Sequence, residues 1–157
     1  MSSYLTFYLV PKKTKKKYDF DKDDGSTEHE IELSKGEPLV LTSYSRSSDV
    51  YQAYNDTLHP AYCGMEDKDT ELSYEDSQMV VRDFEKELNK TKEHLDVDYK
   101  MLKEGGYSSE LWEEIHSWEK YVKEQSSTLE VLKFISSLVY EVYEEWTDFE
   151  KVLINID

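Results

Sequence analysis

The stretch Leu102-Lys-Glu-Gly-Gly-Tyr-Ser-Ser-Glu-Leu111 decides how this chain folds. On its N-terminal side an apolar heptad runs through Val81, Leu88, Leu95 and Leu102, with Phe84, Thr91 and Asp98 at the interleaved places. On its C-terminal side a second heptad carries Leu111, Trp118, Gln125, Leu132, Val139 and Trp146, interleaved with Ile115, Val122, Leu129, Ser136 and Tyr143. A sustained seven-residue apolar repeat marks a helix whose seam faces another helix. In an antiparallel pair the numbers of facing residues have a constant sum. Leu102 with Leu111, Leu95 with Trp118, Leu88 with Gln125, Phe84 with Leu129 and Val81 with Leu132 all share one sum. Half of it falls between Gly106 and Tyr107, so two heptads read independently place the turn at the glycine pair. Glycine tolerates the left-handed backbone that ends a helix. Ser108 or Ser109 caps the next helix, and Glu110, Glu113 and Glu114 stand near its positive end. The expectation is an antiparallel, coiled-coil-like helical hairpin with helices over about 73–104 and 109–150, on the order of 45 Å long at ~1.5 Å per residue.

Outward from the hairpin, Ser73 with Asp76 resembles a capping box. The irregular stretch 61–72, with Gly64 and an acidic run, is the expected boundary between a base (1–72) and the hairpin (73–157). Ser47 and Ser48 can cap a short helix over 48–58 whose apolar positions are Val50, Ala53, Tyr54 and Leu58, and Pro60 is expected to stop it. Earlier residues read as strands. In 4–10, Leu5, Phe7 and Leu9 alternate with Tyr4, Tyr8 and Val10 up to Pro11; in 28–33, His29, Ile31 and Leu33 alternate with glutamates; 39–44 is a third. The short turn Lys35-Gly-Glu-Pro38 favours antiparallel pairing of the second and third strands. Past residue 131 the helical stripe widens to take in Val131, Ile135, Leu138, Val142 and Phe149. Such breadth fits burial against the base. Val152-Leu-Ile-Asn-Ile156 is β-branched enough to leave the helix and add a strand. The fold class expected is α+β: a small antiparallel sheet with a short helix, and a long hairpin whose second helix packs back on the sheet.

With 157 residues, one domain is the expected size class. A net charge of −16 disfavours direct binding to nucleic acid or to an anionic membrane. The single cysteine, Cys63, excludes an internal disulfide framework and a multi-thiolate metal site, and points to a reducing cytoplasm. No apolar run approaches the roughly 18 residues of a membrane span. The lysines follow the apolar segment 4–10, whereas a secretory signal carries its charge first.

Chemical motifs are sparse. Asp19, Asp21, Asp23 and Glu30 fall at ligand positions of an EF-hand loop, but Asp24 stands where that loop needs glycine and Gly25 comes one residue late. A solvated turn is the stronger reading, and no metal or cofactor is expected. Lys12, Lys13, Lys15, Lys16 and Lys17 form a basic cluster with no interleaved aromatic; a loop, or neutralisation of the acids that follow, accounts for it. His29, His59, His94 and His116 are dispersed. His94 shares a helix face with Asp98, and Glu113 with His116, as exposed helix pairs commonly do. Cys63 has no recognisable general base, and phosphate loops, nucleophile elbows and dinucleotide fingerprints are missing from the sequence. No residue is a candidate for catalysis, and the chain is not expected to be an enzyme.

What remains is surface. Near the tip stand Tyr107, Trp112 and Trp118. Trp118 faces Leu95 in the seam, whereas Trp112 is one residue off it and either lies on Met101 or anchors an interface. Gln125, a polar seam position, either fixes the register or marks where a second hairpin packs. The leading expectation is an acidic interaction or assembly protein that presents its hairpin to a protein partner or a second copy, of a kind at home in a bacteriophage or prophage. An alternative is an inhibitor that fills the nucleic-acid groove of a basic partner with Glu85, Glu93, Asp96, Glu113, Glu114 and Glu124. A second alternative is a metal-dependent module built on 19–24.

Overall fold

Strict alternation along Tyr4–Pro11 (β1) sends Leu5, Phe7 and Leu9 into the interior and leaves Tyr4 exposed. The computed structural model describes residues 3–12, 14–19, 28–33, 38–62, 70–106, 108–144 and 148–156, with the backbone alone at 14–19, 28–33 and 59–62. After β1 come Thr14–Asp19 (β2), Glu28–Leu33 (β3), Leu39–Ser45 (β4), Asp49–Tyr62 (α1), Thr70–Glu71 (β5), Tyr74–Gly105 (α2), Ser109–Glu144 (α3) and Phe149–Ile156 (β6). The architecture is α+β. Four strands form one antiparallel sheet in the order β4-β1-β6-β5, while β2 and β3 pair as a separate two-stranded sheet. Because β6 lies along β1 from Leu5↔Ile156 to Leu9↔Val152, the beginning and end of the chain are neighbours in the sheet.

Three sequence expectations are corrected. Strand 28–33 does not pair with 39–44: β3 pairs with the lysine-rich β2, and β4 pairs with β1. The register sets Lys15 opposite Glu32 and Lys17 opposite Glu30, a pairing that lysine's poor strand propensity conceals in the sequence. The short helix does not stop at Pro60 but continues to Tyr62. In a last turn the missing N–H of a proline deprives only one carbonyl, that of Asp56, of its helical partner. The second long helix ends at Glu144, not near 150, and Phe149 belongs to β6. Its neighbours Val152, Leu153 and Ile154 are buried, which rewards the extended form for β-branched residues.

The core fills the space between the four-stranded sheet, α1 and the root of the hairpin. Leu5, Phe7 and Leu9 meet Tyr54 and Leu58 from α1, Val80 from α2, and Leu132, Ile135, Val139 and Val142 from α3. Phe7 sets its ring edge against Tyr54, centroids 5.2 Å apart. Tyr143 ties the last turn of α3 to the sheet. Its hydroxyl donates to Glu71 Oε1 of β5 at 2.9 Å and accepts from the Val152 amide of β6 at 3.2 Å. Burial, reinforced by the Glu71 carboxylate, pushes that hydroxyl up to about 12.

The hairpin register follows from the heptads. Every seam position named from the sequence is buried or partly buried, except Trp146, which lies outside the described residues. Ser73 Oγ accepts from the Asp76 amide at 3.1 Å and caps α2. Gly106 takes the left-handed φ of +79° that ends it. Ser108 then opens α3, its carbonyl accepting from the Trp112 amide at 2.9 Å and its hydroxyl from the Leu111 amide at 3.4 Å. At the root, Ser77 Oγ donates to the Tyr74 carbonyl at 2.7 Å and shares a hydrogen bond of 3.1 Å with Ser136 Oγ, a pair with the residue-number sum of the apolar seam.

Candidate functional site

Beyond the base the seam narrows to Leu88, Leu95, Ile115 and Leu129 as buried apolar residues. One charged residue is buried among them. Asp98 occupies an interleaved heptad position, so the helix aims it into the seam as it aims the leucines, and it is only 4 % exposed. His94 precedes it by one turn on the same face of α2, and Glu114 reaches in from the second turn of α3. His94 Nε2 lies 3.6 Å from Glu114 Oε1 and 3.9 Å from Asp98 Oδ2. Both separations exceed a hydrogen bond, and the enclosed Asp98 Oδ2 accepts none. Trp118 buttresses the group from beneath: its ring centroid is 5.0 Å from that of His94, and its Nε1 is 3.5 Å from Glu114 Oε1. The set offers one imidazole nitrogen and two carboxylate oxygens, all within 4.8 Å of one another, with no nucleophile. That is donor chemistry for a cation.

The partner-binding residues read from the sequence separate here. Trp118 is half-buried and belongs to the seam, its ring packed on His94 and 6.0 Å from Tyr121. Trp112 is 44 % exposed, with the edge of its ring system set against His116 at 5.1 Å. Tyr107 lies outside the described residues. Val97, Tyr99, Met101 and Tyr121 are also exposed on the distal half, so Trp112 is one of several large side chains there that the hairpin does not bury. Tyr99 donates to Glu119, and that hydrogen bond, with smaller help from desolvation, holds its hydroxyl above the usual tyrosine range. Of the acidic residues singled out from sequence, Glu93, Asp96, Glu113, Glu114 and Glu124 are exposed and Glu85 is partly buried. Glu114 alone among them takes part in the His94 cluster.

Closer to the base a cavity of about 540 Å³ opens between α1 and the hairpin, lined by Asp49, Asp56, Asp83, Lys86, Glu87 and Gln125 among others. Gln125 Nε2 donates to Asp49 Oδ2 at 3.3 Å, and Thr57 Oγ1 to Asp83 Oδ2 at 3.2 Å. The polar seam position thus finds its partner in α1 of the same chain. Of the calcium-loop residues, Asp19 closes β2 and Glu30 lies in β3 opposite Lys17, while Asp21, Asp23 and Asp24 lie outside the described residues, as does Cys63.

From the sequence, His94 and Asp98 read as an exposed helix couple and Glu114 as part of a solvated acidic face. Burial of Asp98 corrects the first reading, and the 3.6 Å approach to His94 alters the second. The signal was present in the register. The residue facing Asp98 is Ile115, and Glu114 is its neighbour. Among the described residues, no helix is long and apolar enough to cross a membrane. Comparison with protein families, with curated proteins and with solved structures finds no match to this chain.

Proposed function

We propose that this chain is a non-enzymatic interaction module: the base holds the root of the hairpin, and the distal half docks on a protein partner. The observation that carries the reading is the exposed indole of Trp112, 44 % accessible on a helix turn remote from the core. A large aromatic left open on a helix is a common anchor of an interface. Glu110, Glu113 and Glu114 surround it in sequence, and the whole chain carries −16. The complementary partner is therefore an apolar cleft rimmed by lysine or arginine; a second copy of so acidic a chain repels the first.

The test begins with sedimentation of the full chain across concentration and salt, where a monomer is expected. A binding partner from the native host, once purified, is then titrated with wild type and Trp112→Ala. The substitution is expected to weaken the complex by about 2 kcal/mol, roughly thirtyfold in Kd. A complex indifferent to Trp112→Ala that dissolves steeply with salt would replace this reading with occupancy of a nucleic-acid-binding groove by the acidic faces.

A further inference from the structure

We propose that His94, Asp98 and Glu114 form a binding site for a divalent transition-metal ion of the zinc class, which staples α2 to α3 in the distal half of the hairpin. Asp98 is enclosed in the seam, and its Oδ2 accepts no hydrogen bond from the described residues. A carboxylate so placed is unfavourable unless a cation is close. His94 stands within ion-pair range of both carboxylates, 3.9 Å from Asp98 Oδ2 and 3.6 Å from Glu114 Oε1, but hydrogen-bonds neither, so Oδ2 still lacks a direct ligand.

The same separations suit ligands on opposite sides of an ion. With bonds of ~2.0–2.1 Å at tetrahedral angles, donor atoms stand about 3.3 Å apart, and donors already within 4.8 Å of one another reach that spacing by side-chain shifts of no more than about 1.5 Å. The donor set chooses the metal. An imidazole nitrogen favours zinc and its neighbours over magnesium and calcium, which prefer oxygen alone. His94 and Asp98 sit at i and i+4, the spacing that brings two ligands to one helix face, and Glu114 comes from the opposing helix. Three protein ligands leave a fourth position for water. Trp118, against the His94 ring and close to Glu114, fixes the orientation of both. The proposal stands independently of what the hairpin docks on.

The experiment uses the full chain, stripped with chelator and titrated with zinc chloride by calorimetry, followed by thermal unfolding with and without zinc. One zinc per chain and a raised Tm are expected, with magnesium giving neither. Asp98→Asn and Glu114→Gln should each weaken zinc at least about tenfold and abolish the rise in Tm. Cys63→Ser should change neither. Glu114 is exposed, so Glu114→Gln keeps the test decisive if Asp98→Asn disturbs folding. Cobalt substituted for zinc should give a visible absorption band that both ligand variants lose. Absence of zinc binding at micromolar concentration, or binding that survives Glu114→Gln and Asp98→Asn unchanged, would overturn the site.

Discussion

At the root of the hairpin Ser77 and Ser136 are buried and share a hydrogen bond of 3.1 Å; some six turns outward, Asp98 is as deeply buried and its Oδ2 accepts none. Both positions interrupt an apolar seam with a polar group. At the root the interruption is resolved within the chain, and the surrounding Val80, Leu132, Ile135 and Val139 continue into the core of the base. In the distal half it is left open, and the apolar residues holding the helices together are few. The contrast teaches that the two ends of one hairpin are built for different purposes. The root supplies stability, and the distal half gives up some stability to hold side chains in readiness.

Substitutions should separate the two regions. Leu132→Ala removes a fully buried side chain at the root, and should cost about 3–4 kcal/mol in urea unfolding. Leu95→Ala, 8 % exposed in the narrow seam where the helices can close up, should cost no more than about 2 kcal/mol. Equal costs would erase the distinction. Ser77→Ala leaves the Ser136 hydroxyl without its partner and should destabilise by ~1–2 kcal/mol. Asp98→Leu should act in the opposite direction, raising metal-free stability by about 1 kcal/mol, since an apolar side chain at a heptad position replaces a desolvated carboxylate.

The root also carries its own pH signature. The Tyr143 hydroxyl ionises near 10.0 when unfolded and near 12 in place, raised chiefly by burial. Its contribution is complete below pH 10, where both states hold the proton. It is lost as pH climbs from about 10 to 12, because there the unfolded chain releases the proton first. For a half-buried, solvent-screened group the loss should be about 1 kcal/mol, and Tyr143→Phe should flatten that part of the stability–pH curve. At the turn Gly106→Ala meets no atom within 4 Å, so its cost is the backbone alone: φ +79° with ψ 177° is a region essentially confined to glycine, and about 1 kcal/mol or more is expected by thermal unfolding.

The features legible in the sequence were those governed by periodicity. Two heptads and a glycine pair fixed the helices, the turn and the residues that enter the seam. Alternation in 4–10 identified the buried face of β1. Strand partnership was not legible, because β1 takes β4 on one side and β6, from the far end of the chain, on the other, and no local pattern encodes so distant a pairing. The His94 cluster was half legible. Asp98 stood at a seam position and His94 one turn before it, but a carboxylate in a heptad reads as a surface residue until its burial is known.

The central claim is that the hairpin is held at its root and only lightly along its distal half. Native-state hydrogen exchange of the metal-free chain tests it most directly. Amides in 132–142 should exchange only through global unfolding, and those in 92–100 and 112–120 through a smaller opening of distinctly lower free energy. Uniform opening energies along both helices would contradict it.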